Sequence, residues 1–322
     1  MLRILAAILI LSMGFAGTAT AQQAYEVPAD QATVANCNMQ TAAAAGRRIS
    51  ELLAATLSDP RLNQARTPQD MAAFFDITAP QITAARTEIK ALEASLRGLP
   101  LVGTDTDAIP LILTDRIVRD FIELAVRADA LLASAEQIRD AVHSGDTALY
   151  NHASGQFRAG AVALMEAQGL MVRSRLPFIP SDTVLHAQLS AMACFSDGLA
   201  TVQRRIYGIQ DRQESVEGLK GAHDCMIEHI ALGRAALSRD RSDVPSDAVL
   251  ADIMAELNPL REEFFRVLDT GAALIADLRD RTAAGGDMGP VYSAQLPAIN
   301  EFQQVLQSLF ARELDIMARQ GQ

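Results

Sequence analysis

The chain of 322 residues has three cysteines, no tryptophan and only 5% aromatic residues. So few rings argue against a sugar-stacking cleft or an aromatic platform for nucleic-acid bases. Lysine is nearly missing as well: Lys90 and Lys220 are the only two, and the formal net charge is −11 at pH 7. Without a basic patch, nucleic-acid binding and docking on an anionic lipid surface are disfavoured. No Cys-x-x-Cys or Cys-x-x-Cys-His occurs, which argues against a thioredoxin-type redox site and covalent c-type haem. There is no Gly-x-Ser-x-Gly elbow and no His-Glu-x-x-His. The glycine-rich run Gly285-Gly286-Asp287-Met288-Gly289 lacks the Lys and Ser/Thr of a phosphate loop and reads as a turn. Acidic pairs such as Glu262-Glu263 and Asp277/Asp280 read as solvated helix faces. Together these absences point to a non-enzymatic protein that needs no cofactor.

What is present is a globular composition, 49% hydrophobic and 21% charged, behind an export-type leader. Residues 1–21 read as a signal peptide. Arg3 supplies the positive end, 4–16 is apolar, and Ala19-Thr20-Ala21 is a small-x-small cleavage site. The apolar core falls short of the ~20 residues of a membrane-spanning helix. No cysteine directly follows the cleavage site, and no later segment is apolar enough to span. The expectation is a soluble protein in a bacterial periplasm or outside the cell, long enough for two domains.

Apolar residues recur with helical spacing almost throughout, and no convincing run of alternating β-branched residues is found. Caps and breakers predict eight helices: 30–57, 67–98 with a restart or kink at Pro80, 105–143, 146–175, 181–207, 211–238, 246–284 with a kink at Pro259, and 289 to near the C-terminus. Long helices joined by short polar loops favour antiparallel bundles. The fold expected is all-α: two tandem antiparallel bundles of about four long helices each, over 22–178 and 179–322. Two short alignments suggest duplication. Cys37 precedes Arg47-Arg48-Ile49 at the spacing by which Cys194 precedes Arg204-Arg205-Ile206. Phe121-Ile122 precedes Ala130-Leu131-Leu132-Ala133 as Phe264-Phe265 precedes Ala273-Leu274-Ile275-Ala276.

The later cysteines form the most informative pair. If the fifth and sixth helices turn near Ile209-Gln210, facing positions have numbers that sum to about 419, as 194 and 225 do. A Cys194–Cys225 disulfide is therefore expected, with Cys37 left over. The alternative is two small buried core residues. Cys225 and His229, four apart on one helical face, also begin a metal site, with Met192 and Cys194 near enough to contribute. Two ligands make no closed motif, and the disulfide consumes Cys225, so no metal is assigned. His143, His152 and His186 are scattered and read as surface or helix-end residues.

In an acidic, lysine-poor chain the pairs Arg47-Arg48 and Arg204-Arg205 stand out. A guanidinium fork suits carboxylate, nitrate or phosphate, whereas surface pairing with Asp or Glu is the plainer reading. Ala45-Gly46-Arg47-Arg48-Ile49-Ser50-Glu51 resembles the Gly-Arg-x-Arg-Met-Leu-Ser-Gln signature of the PilJ/NarX-like periplasmic sensory domain of type IV pilus chemotaxis transducers and nitrate sensors. Here the second Arg stands one position early. Met192-Ala193-Cys194-Phe195, Leu219-Lys220-Gly221-Ala222 and Pro259-Leu260-Arg261 are similar to segments of the same family. The resemblance implies tandem four-helix units and an arginine, Arg47 or Arg48, that recognises a small anion at a dimer interface.

The sequence thus leads to an exported sensory or interaction module that binds a small anion or an envelope protein between bundle helices, and is compatible with a homodimer. The rival readings are a metal-handling periplasmic protein and a purely structural envelope scaffold.

Overall fold

A computed structural model describes residues 29–57, 67–103, 109–242 and 248–318. The leader lies outside these residues, as do Ser58-Asp59-Pro60, which the sequence offers as the stop of the first helix. Eight helices follow one another: α1 (Ala29–Leu57), α2 (Pro68–Arg97), α3 (Ile109–Ser144), α4 (Thr147–Arg173), α5 (Val184–Ile206), α6 (Arg212–Ser242), α7 (Ala248–Ala283) and α8 (Met288–Ala318). A single 3₁₀ turn, Leu176–Phe178, joins α4 to α5. The described residues contain no strand, so the fold is all-α.

Local chemistry sets the helix ends. At α2 the Thr67 hydroxyl accepts from the Asp70 amide at 3.1 Å while the Asp70 carboxylate accepts from the Thr67 amide at 2.9 Å, and Pro68 opens the first turn. Asp211 and Glu214 form the same reciprocal box at α6, at 2.9 and 3.0 Å. Asp146 accepts from the Leu149 amide at 2.9 Å to start α4. Gly145, Gly208 and Gly285 have φ of +69°, +70° and +82°, a backbone open to glycine at little cost, and they close the reversals after α3, α5 and α7. The expected restart at Pro80 does not occur. α2 is one helix of 30 residues, with Phe74, Phe75, Ile82, Ala85 and Ile89 buried on either side of the proline. Continuous packing offsets the one backbone bond that proline removes. α7 likewise runs unbroken through Pro259, its 36 residues reaching about 54 Å.

Each helix packs against the next in sequence, and α1 also packs on α3 as α5 does on α7. Within each half, successive helices pack together and the first also meets the third, while α5 additionally meets α8. The Phe121 ring lies over Gly46 of α1, and the Phe264 ring meets Phe310 of α8. The buried apolar cluster runs without interruption from α1 to α8, across the connection at 176–178. Fully burying a Leu or Phe contributes ~1.5–3 kcal/mol, so this cluster dominates stability.

α5 is the central helix. It contacts α4, α6, α7 and α8, and nearly every residue from Ala187 to Gln203 is buried. Burial on all sides forces its polar residues to find partners inside the protein. At one end, Gln188 donates to Glu313 Oε2 of α8 at 3.3 Å, and Arg261 Nε of α7 donates to Glu313 Oε1 at 2.7 Å. Asp240 of α6 lies 3.5 Å from Arg261, so one cluster joins all four helices of the second half. At the other end, burial pushes the Tyr207 phenol up to about 12, slightly opposed by Arg158. A raised phenol loses its proton in the unfolded chain first. Stability from this group is therefore complete below pH 10 and lost as pH rises through 12. The melting temperature should fall between pH 10 and 12, and less steeply in Tyr207→Phe. An identical slope in both proteins would remove Tyr207 as the cause.

Candidate functional site

Two places on this scaffold gather chemically useful groups. The first is the α5–α6 hairpin. Cys194 and Cys225 are joined in a disulfide, with Cα atoms 6.0 Å apart and a sequence separation of 31. The antiparallel register read from the sequence explains the pairing, and a bridge of this kind stabilises by ~2–4 kcal/mol. Cys37 on α1 is a free, exposed cysteine. One donor atom from each of Cys194, Cys225 and His229 lies within 4.8 Å of the other two. Met192 faces elsewhere, lining a small cavity with Phe195, Phe302 and Gln303. Of the remaining histidines, His143 Nε2 sits 2.8 Å from Asp76, His152 is exposed, and His186 Nδ1 lies 3.4 Å from the Ser190 hydroxyl of the same helix.

The second place is a cavity of about 610 Å³ between the first turns of α3 and the connection from α4 to α5. Gly103, Ile112, Asp115, Arg116, Arg119, Ser174, Pro177 and Phe178 line it. The Asp115 carboxylate is committed to structure, accepting from the Val102 and Gly103 amides at 2.9 and 2.8 Å. Those bonds pin the end of the α2–α3 connection onto α3, and Asn38 holds it from α1 through a 2.8 Å bond to the Pro100 carbonyl. Arg116 and Arg119 are exposed. Arg116 Nε is 3.7 Å from Asp120, and Arg119 makes no ion pair among the described residues.

Behind this mouth lies a buried polar layer. Arg175 is 1% exposed, with Nη2 4.0 Å from Asp120 Oδ2. The Ser174 hydroxyl donates to the same Asp120 oxygen at 2.8 Å. Burial pulls the Arg175 guanidinium down to about 10, with Asp120 acting in the opposite direction. Burial also raises the Asp120 carboxyl, opposed by Arg175, Ser174 and Arg116. Two arginines and one carboxylate, Asp115, line the cavity, so the formal charge of its wall is positive.

The arginines singled out in the sequence occupy other surroundings. Arg48 grips Glu88 of α2 with two bonds, at 2.6 and 3.0 Å, and reaches Glu51 at 3.1 Å. The Glu88 pair, first, and then Glu51 hold its proton far above the ordinary range. Arg47 is exposed on the same helix and also has a partner. Arg204 pairs with Glu166 across α4 and α5, and Arg205 Nη1 donates to the Gln210 carbonyl at 3.4 Å. Arg116, Arg119 and Arg175 escaped sequence reasoning because nothing local distinguishes them. Arg116 and Arg119 do share a face at a spacing of three, but the chain segment that closes over them, 174–178, lies 55 to 62 residues further on.

Comparison with family models, curated proteins and solved structures gives no match. The residues themselves therefore carry the functional argument.

Proposed function

We propose that this chain is an exported, non-enzymatic sensory or interaction module that binds a small anionic molecule in the cavity beside Arg116 and Arg119. The observation that carries this reading is the 610 Å³ concavity with two exposed guanidinium groups and the Ser174 hydroxyl on its wall. That volume falls in the range of small-molecule sites, and a guanidinium fork matches the planar oxygens of a carboxylate or the edge of a phosphate. The site lies where α3 meets the α4–α5 connection, so an occupant touches two segments that are far apart in sequence. Contact with two elements is what a sensor needs if binding is to be felt elsewhere. Arg47 and Arg48, the residues implied by resemblance to the PilJ/NarX-like domain, take second place because Glu88 and Glu51 already engage Arg48.

Calorimetric titration of the chain with citrate, glutamate, phosphate and nitrate tests the reading. Saturable heat is expected for at least one of these anions. Each charge-assisted contact is worth ~1.5–3 kcal/mol, so Arg116→Ala or Arg119→Ala should weaken binding by roughly 10–100-fold, and Arg48→Ala should leave it unchanged. No saturable heat in the wild-type chain overturns the reading. Binding that survives the double variant of Arg116 and Arg119 overturns the location.

A further inference from the structure

The face that α5 turns to α6 carries more than a disulfide. His186, Ser190 and Cys194 are spaced by four on α5, and Cys225 and His229 by four on α6. A spacing of four places each set along one helix face. In the antiparallel register that joins Cys194 to Cys225, His229 stands opposite Ser190, one turn along from the bridge. The distances agree: one donor atom from each of Cys194, Cys225 and His229 lies within 4.8 Å of the others. His229 Nδ1 is buried and has no hydrogen-bond partner among the described residues. A buried imidazole nitrogen normally has one, so this atom is available as a donor to a ligand. His186 Nδ1 lies 3.4 Å from the hydroxyl of Ser190, the residue that stands opposite His229.

We propose that opening the Cys194–Cys225 bridge turns this face into a Zn(II) site, with two thiolates and His229 as ligands and His186 as the fourth donor. Two sulfurs and two imidazole nitrogens suit a tetrahedral d¹⁰ cation. Tetrahedral bonding needs donors roughly 3.5–4 Å apart, so Cys194, Cys225 and His229 are already gathered, the sulfurs need only separate, and the His186 ring has to turn toward them. In the opening step a dithiol delivers two electrons and two protons, the S–S bond breaks to two thiols, and the dithiol leaves as its cyclic disulfide. Binding then releases the two thiol protons to solvent as the thiolates take the metal. The bridge and the metal thus compete for the same sulfurs. In an oxidising compartment the disulfide holds the hairpin, and in a reducing one the cation does.

The test uses the full chain in a Cys37→Ser background, so that only this pair of thiols is present. A phosphine reductant opens the bridge, itself becoming the phosphine oxide with oxygen from water. Zn(II) alone is then titrated against a chromophoric chelator, and Co(II) alone serves as the spectroscopic probe. One equivalent of Zn(II) is expected in the reduced protein and none in the oxidised one. Co(II) should give a near-ultraviolet thiolate charge-transfer band with tetrahedral visible bands. His229→Gln leaves the bridge intact, so its fold is checked in the oxidised state. Once reduced, it should lose affinity by more than the ~10–100-fold that follows removal of a group that merely orients a ligand. Should reduction melt the hairpin, Zn(II) must restore helicity by circular dichroism. The proposal is overturned if the reduced chain binds no Zn(II), if His229→Gln binds as tightly as its parent, or if a melted hairpin is not refolded by the metal.

Discussion

Glu313→Ala is expected to cost about 3–5 kcal/mol of folding stability. Glu313 is 1% exposed and Arg261 only 12% exposed, so neither charge is solvated in the folded protein. Each depends on the other for what water supplied in the unfolded chain. Removing the carboxylate strands a guanidinium near the core with only Asp240, 3.5 Å away, and deprives the Gln188 amide of its acceptor. The penalty comes from the groups left behind, which distinguishes this pair from the surface bridges such as Arg234–Asp269 and Arg241–Glu262. Exposed pairs of that type are worth about 0–1 kcal/mol. Replacing the cluster as a unit, with Arg261→Met, Glu313→Leu and Gln188→Leu together, should recover most of the loss. Urea unfolding midpoints of the single and triple variants measure this. A single variant within 1 kcal/mol of wild type would show that water reaches the pair.

A second large effect is expected where α6 crosses α7. The Phe265 ring is fully buried and lies where a Cβ on Gly233 would stand: 2.1 Å from its Cζ and 2.3 Å from its Cε1, with the Ala187 Cβ of α5 at 3.0 Å. Phe265→Ala should cost about 3–5 kcal/mol through the cavity it leaves. Gly233→Ala should cost ~1–3 kcal/mol by overpacking, although alanine is the better helix former. The double variant should lose less than the sum, since the added methyl occupies part of the vacated ring volume. Gly221→Ala is the control on the same helix, because nothing lies within 4 Å of the added Cβ. It should stabilise by ~0.8–1 kcal/mol. If Gly233→Ala proves equally stabilising, α6 and α7 are not in close contact at this crossing.

The helix count and most helix boundaries were legible because the signals are local. Thr67-Pro68 and Asp146 start helices, and Gly98, Gly145 and Gly285 end them, for reasons that depend on a few neighbouring residues. The Cys194–Cys225 register was legible because a hairpin with a short turn fixes facing positions by arithmetic. The helix over 67–98 was legible, but whether Pro80 restarts it was not, since the cost of proline in a helix is set against packing that only the folded chain supplies. Periodicity tells which side of a helix turns inward and is silent about what it meets there. For that reason Arg175 and Glu313, charged residues on helical or helix-end segments like many others, gave no sign of their burial. The cavity at Arg116 and Arg119 needed the chain at 174–178 to be folded over α3 before it existed. His186 was set aside as scattered, and only the pairing of α5 with α6 brings it near His229.

Each helix lies against its successor, with α1 on α3 and α5 on α7 as the longer reaches. Most of the native contacts can therefore form between segments that are close along the chain, and little loop-closure entropy has to be overcome before a contact is rewarded. Proteins with such local wiring condense quickly, because the search is a series of short closures rather than one long-range encounter. The α5–α6 hairpin can collapse as a unit and bring Cys194 to Cys225 before α7 and α8 arrive. Oxidation would then record an early event in folding rather than lock a finished structure.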